Sequence, residues 1–594
     1  MAIVGAAFAC STAAAQIFEP PPPRPGPGAP TPKVGPKCPS GLKKTLIVDK
    51  NNTGGERYET IKAALDCVSR YDIRDAVIEV YATPTDEFPE PLKVTRPDTT
   101  LIGYGGPFGD GPVFITPPEG QECVVVDIPR KYDYRKVTTR FENFIFAATT
   151  DGEDEACIHV KRGKLTLLDS RINVTNARGT GVLVDATSWF TMIGRNEDDH
   201  GVFTLVPAVS DRNVVGVRAV GGSASVEMRN VRVAGLEVGV TSNSLRNTFD
   251  GTEFQDNRVG IEIKDHAVAL EFAPALDVRG GLFERNADAI IVRDRFSGRR
   301  ADEGAFVERN RRLGKVYPEL RQVFRNHVRI GDGGAPRTVF RDNYRGLTIE
   351  AAGLQPIDGR RFTIENARFE RHQAADGSGD GPNAASSYDA GLDLCRGAND
   401  DGPSYRDERK FKSYAVCFYS AYGTAASFDN IEFFDNRRAI HVQNDFDGRL
   451  TISGASYFLG ASARDGGDRQ RGLVARAGRG YLDATITSAS GLRPAFYLGG
   501  DLSNAGAHRI NVDDATDAFD IVQLDPKSAL CTMSLGSRKN RREFDSLIDG
   551  LNIFLAAAQI GSFPFEDLPR NEKKRQRTQK DILCGKYNDH LKRR

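Results

Sequence analysis

Apolar and polar residues along this chain come in short bursts set off by turn residues, and one burst recurs. It runs through Phe254, Asn257, Gly260, Ile261 and Ile263, then Phe283, Asn286, Ala289, Ile290 and Val292. It returns at Phe340, Asn343, Gly346, Leu347 and Ile349, and at Phe433, Asn436, Ala439, Ile440 and Val442. All four obey F-x-x-N-x-x-[GA]-[IL]-x-[IV]. Looser copies lie at Val233–Val240 and Ile172–Val184. Two apolar residues around one variable residue make a short strand with both apolar side chains on one face. The small residue before the strand marks a tight corner. The Asn sits in the turn ahead of it, where Asn tolerates a left-handed backbone. Stacking such coils sets Asn over Asn and Phe over Phe. The first two Phe residues are 29 positions apart, one long coil, and the later steps are longer, as coils with loops require. The pattern predicts an all-β chain: a single-stranded, right-handed parallel β-helix. Leucine-rich and propeller signatures are absent.

The flanks divide the chain further. Residues 1–15 are small and apolar and end in Ala13–Ala15, as at a signal-peptide cleavage site, although a basic first segment is missing. Cys10 as a lipid acceptor is the rival reading. Residues 16–37 form a Pro-rich linker. Residues 38–98 read as a cap with first coils: strands at Thr45–Val48 and Ala76–Tyr81, and an amphipathic helix at Tyr58–Val68 with Ile61, Leu65 and Val68 on one face. Residues 99–500 carry the coils, with a strand at Thr100–Gly103 and insertions near 296–322 and 376–412. Residues 501–594 read as a C-terminal helical appendage, with helical spacing over Phe544–Leu555 and a basic stretch at Lys573–Lys580 that is most simply a solvated face.

The region from Cys38 to about Gly500 resembles the pectin-lyase-like parallel β-helix superfamily. Its start looks pectinesterase-like, through Tyr58, Ile61 and Leu65, then Val77 and Val80, then Leu101, Gly103 and Gly105. The resemblance implies a helix capping the N-terminal end of the solenoid, and substrate lying along one outer face of the sheets. The pectinesterase catalytic contexts, Gln-Asp-Thr and Asp-Phe-x-Phe-Gly, do not occur. Of the polygalacturonase motifs only fragments occur, at Asp198 to Gly201.

Composition narrows the class. The 594 residues hold 80 Lys plus Arg and 80 Asp plus Glu, a formal charge of zero, which argues against nucleic acid as partner. No apolar run reaches the roughly 18 residues that a membrane-spanning helix needs. Of nine Cys, Cys10 lies in the leader-like segment, leaving an even eight: Cys38, Cys67, Cys123, Cys157, Cys395, Cys417, Cys531 and Cys584. About a hundred connectivities are open to eight Cys. Chain-order pairing closes local loops, as a solenoid favours. An even count beside a leader-like segment points to disulfides and an extracytoplasmic location, periplasmic, cell-surface or secreted.

Candidate chemistry follows from the stacking. The residue between the apolar pair should point outward, giving a first column of Glu262, Ile291, Thr348 and His441. Two residues on, a second column holds Lys264, Arg293, Glu350 and Gln443. An acidic polysaccharide needs cations to neutralise its carboxylates and a base for the sugar C5 proton. Lys264 and Arg293 are the catalytic candidates, and Glu262, His266, Glu350 and His441 the substrate-binding ones. Calcium, which needs several oxygen ligands, would use Asp265 and Asp294. Equally, a Lys–Asp pair on an exposed strand is usually a solvated salt bridge. Trp189, the sole Trp, is a sugar-stacking candidate or a core residue. The expectation is an exported carbohydrate-active protein that binds an acidic polysaccharide or glycoconjugate and cleaves it by β-elimination. The alternative is a non-catalytic envelope or surface protein using the solenoid for adhesion or spacing.

Overall fold

The computed structural model describes most of residues 38–535. The longest stretches outside the described residues within that span are 294–327 and 373–413, and residues 1–37 and 536–594 lie outside them entirely. The leader-like segment, the linker, both insertions and the C-terminal helix therefore fall on residues that are not described.

Each coil contributes three strands. Arg246–Asp250, Glu253–Gln255 and Val259–Lys264 are followed by Leu276–Arg279, Leu282–Glu284 and Asp288–Arg293. Corresponding strands pair in parallel, with Asn247 opposite Leu276, Phe254 opposite Phe283 and Ile261 opposite Ile290. Repetition of this step builds one 27-stranded and one 14-stranded parallel sheet. The chain is a parallel β-helix. Ladder pairing also runs past Gly500, through His508–Val512, Asp520–Leu524 and Met533–Leu535, so the coils extend further than the apolar pattern indicates.

The interior is built from side-chain ladders. Phe254, Phe283, Phe340, Phe369 and Phe433 stack face to face, with neighbouring centroids 5.0, 4.8, 4.6 and 5.5 Å apart. Phe369 belongs to a coil that the motif misses, because His372 stands where the others have Asn. Beside the rings runs an amide ladder. Asn257 Nδ2 donates to Val233 O and to Asn286 Oδ1, at 2.9 and 3.1 Å. Asn286 Nδ2 donates to Phe254 O and to Asn343 Oδ1, both at 2.9 Å. These asparagines are buried, so the ladder satisfies backbone groups that water cannot reach.

The left-handed residue is not the Asn, as expected from the sequence, but the residue before it. Asp256, Arg285, Asp342 and Arg371 have φ of 54°, 53°, 54° and 54°. That turn aims the next side chain inward, and its amide enters the ladder. The four left-handed residues alternate in sign. Arg285 grips Asp256 through two bonds of 2.8 Å, and Arg371 grips Asp342 through bonds of 2.6 and 2.7 Å. Small corner residues are needed where the next coil comes close: a Cβ on Gly346 would sit 2.3 Å from Ala415 O.

The capping helix spans Ile61–Arg70, and Thr60 caps it by accepting from Ala63 N at 3.1 Å. It buries Ile61, Ala64, Leu65, Cys67 and Val68 against the first strands. Glu90 accepts from Ile61 N and Lys62 N, placing a carboxylate at the positive helix end. Cys38 is bonded to Cys67 and Cys123 to Cys157, both in chain order. Cys417 is disulfide-bonded too, to a partner outside the described residues, where Cys395, Cys531 and Cys584 also lie. Among the described residues no helix is long and apolar enough to cross a membrane.

Candidate functional site

The 14-stranded sheet sets both columns in register. Glu262 faces Ile291, Ile291 faces Thr348, and Lys264, Arg293 and Glu350 align in the same way two residues on. An extra strand, Tyr414–Tyr419, intervenes before the fourth copy, so Cys417 lies between Thr348 and His441. The motif misses this strand because Ala415 and Val416 carry no Phe and Asn at the expected distance before them.

Alternation places the middle residue of each strand outward, and the sequence alone predicts a surface position. These side chains do point away from the core, yet Glu262 is only 6% exposed and His441 is fully buried. Ile291, Thr348 and Cys417 between them are buried as well. The neighbouring lane explains the environment. Val215, Val238 and Val259 join Ile291 in an apolar cluster separate from the main core. The same lane continues into Asp288 and Arg345, a buried ion pair with Nη2 to Oδ2 at 2.7 Å. Next comes Tyr414, whose hydroxyl lies 2.7 Å from Thr348 Oγ1. Removing one partner of a buried ion pair typically costs about 3–5 kcal/mol.

Lys264 lies at the border of this covered zone. Its side chain is 47% exposed and its Nζ is 2.9 Å from Glu262 Oε2. For Arg293 and Glu350 the backbone is described and the side chains are not; Asp265, His266, Asp294 and Gln443 lie outside the described residues. Among the described residues no group of three or more His, Cys, Asp or Glu is arranged to hold a metal ion.

Towards the N-terminal end the same lane opens. His159 lies in register between Val125 and Leu183, and Lys93 faces Val125. His159 Nδ1 is 2.9 Å from Glu122 Oε1, and its Nε2 is 3.3 Å from Asp185 Oδ1. The His159 hydrogen bond holds the Glu122 carboxyl below its ordinary range, with Lys161 and Lys93 adding to the effect. The Cys123–Cys157 disulfide fastens the two strands beneath. The sequence reading missed this group, which lies upstream of the four clear repeats. The signal was present nonetheless: Ile158, His159 and Val160 repeat the apolar–His–apolar triplet of Ile440, His441 and Val442.

Trp189 is not a core residue. It lies on the outer face of the 27-stranded sheet between buried Ser188 and Phe190, with Lys164 Nζ 5.4 Å from its ring centroid.

No family model matches the chain, and no curated protein matches it. Among solved structures, the catalytic domain of a GH87 α-1,3-glucanase variant in complex with tetrasaccharides aligns over 85% of this chain and 70% of that one. The identity is 11% and the TM-score 0.32. A likeness at that level says nothing of activity.

Proposed function

We propose that this chain is an exported, pectin-lyase-like protein that binds an acidic polysaccharide along the outer face of the 14-stranded sheet. The observation that carries the reading is the register of Lys264 with Arg293 on adjacent strands. A Lys and an Arg at strand positions one spacing apart, roughly 4.8 Å along the backbone, suit the closely spaced carboxylates of a uronate polymer. In the catalytic form of this reading, one of Lys264 and Arg293 neutralises the uronate carboxylate as a cation and the other, in its neutral form, takes the C5 proton. The electron pair forms a C4–C5 double bond, the C4–oxygen bond breaks, and the departing oxygen of the neighbouring sugar takes the proton from the base. Calcium, held by Asp265 and Asp294, would assist in screening the carboxylates. Chain-order disulfides among the described residues agree with an oxidising compartment.

The test is a panel of uronate polysaccharides with added calcium or with chelator, followed by ultraviolet absorbance of the unsaturated product and by binding. Lys264→Ala and Arg293→Ala should each lower kcat/KM about a hundredfold or more while the fold is kept. Unchanged rates in both variants would overturn the assignment of the site.

A second reading, a non-catalytic surface or adhesion solenoid, is favoured by one observation. The lane from Glu262 to His441 is buried, so it offers no open groove over those coils. Binding without product in the same panel supports this reading.

A further inference from the structure

We infer that the 27-stranded sheet carries a second glycan track, for an uncharged, hydroxyl-rich polymer laid along the solenoid axis with Trp189 as its stacking platform. The inference rests on the carbohydrate reading above but uses a different face. Thr166 faces Thr191, and Thr248 follows one strand later after Glu227. The same outer lane resumes with Thr363, Ser427 and Thr451. These six hydroxyl side chains are partly exposed, in contrast to the buried lane on the other sheet. Parallel strands repeat every 4.7–4.9 Å or so, so the lane offers donors and acceptors at a regular step. A linear glycan presents hydroxyls in a comparable run.

The charges within the lane are satisfied locally. Glu227 pairs with Arg229, and Asp277 is held by both Arg279 and Arg329 at 2.7 Å. The face therefore presents hydroxyls and neutralised pairs rather than a field of one sign, which fits an uncharged polymer better than a polyuronate. Trp189 lies two residues before Thr191 on the same strand and on the same face. A partly exposed indole beside hydroxyls supplies the flat apolar surface that the C–H face of a sugar ring prefers. The bland account has two parts: Thr is a common outward strand residue, and Lys164 over Trp189 is a surface cation–π pair.

Because Trp189 is the only Trp, its fluorescence reports on this face alone. The full-length protein is titrated with uncharged glucan, xylan and mannan oligosaccharides of increasing length, and separately with oligouronates. Calorimetry runs in parallel. The expected result is a saturable change in Trp189 emission with an uncharged series, and affinity that grows with chain length. Trp189→Ala should lose about tenfold in calorimetric affinity, and Thr191→Val, which keeps the fluorophore and the strand, should lose several-fold. Calorimetric binding with no change at Trp189 overturns the track and leaves the carbohydrate reading standing. An emission change with oligouronates alone overturns the uncharged class. No calorimetric binding to any member of either series overturns both.

Discussion

His372 shows how much one side chain in a ladder can carry. It takes the place of Asn in its coil, and its Nδ1 lies 2.8 Å from Asn436 Oδ1. An amide oxygen only accepts, so Nδ1 holds the proton and Nε2 is left with a lone pair. That Nε2 has no hydrogen-bond partner among the described residues and points at the Gly346 corner, where a Cβ would sit 2.9 Å away. Burial pushes the imidazole down to about 4, with Asp342 opposing the shift and Arg371 adding to it. In the unfolded chain the ring titrates near 6.5. Its stability contribution is therefore complete above pH 6.5, falls as the pH drops from 6.5 towards 4, and levels off below. The whole loss is roughly 3 kcal/mol. Urea midpoints measured across that range should fall less steeply in His372→Asn than in the native chain. Parallel curves would show that His372 does not titrate as a buried group. No apolar periodicity announces this residue, because His was not among the amides that the motif led one to look for.

At the scale of the element, the ring ladder and the strand corners hold each coil to the next. Phe283 is fully buried and stacked on both faces, by Phe254 and Phe340. Phe283→Ala should cost about 3–5 kcal/mol in chemical unfolding, and Phe283→Leu clearly less. Equal losses in the two variants would mean that ring stacking adds nothing to volume. The F-x-x-N motif made this ladder, the coil corners and the outward columns readable from sequence, since each follows from a period that side chains repeat. One coil escaped it: His372 stands where the motif has Asn, and its next strand, Tyr414–Tyr419, follows only after residues 373–413. The burial of Glu262 and His441 also escaped it. Alternation reports which face of a strand a residue is on, not whether that face meets water. Register could be inferred for Lys264 and Arg293 by counting, whereas the His159 group depends on Glu122 and Asp185, which come from turns of neighbouring coils and carry no period.

Over the whole molecule each coil touches only its neighbours, so cross-links that span coils should matter beyond their own sites. The Cys123–Cys157 disulfide closes a separation of 34 residues. Replacing both residues by Ser should cost about 3–4 kcal/mol by loop-closure entropy. Thermal unfolding of the double variant, with thiol titration of the native protein, checks this. A loss below about 1 kcal/mol would place the stability of these coils in their ladders alone. The alternating column Asp256, Arg285, Asp342 and Arg371 has a consequence for assembly. Its signs act as a parity mark along the axis. A chain that loops out one coil while winding would bring Asp256 against Asp342, or Arg285 against Arg371. The apolar core, nearly identical from coil to coil, would accept that mistake. The column would not: a skipped coil exchanges a two-bond ion pair for a like-charge contact.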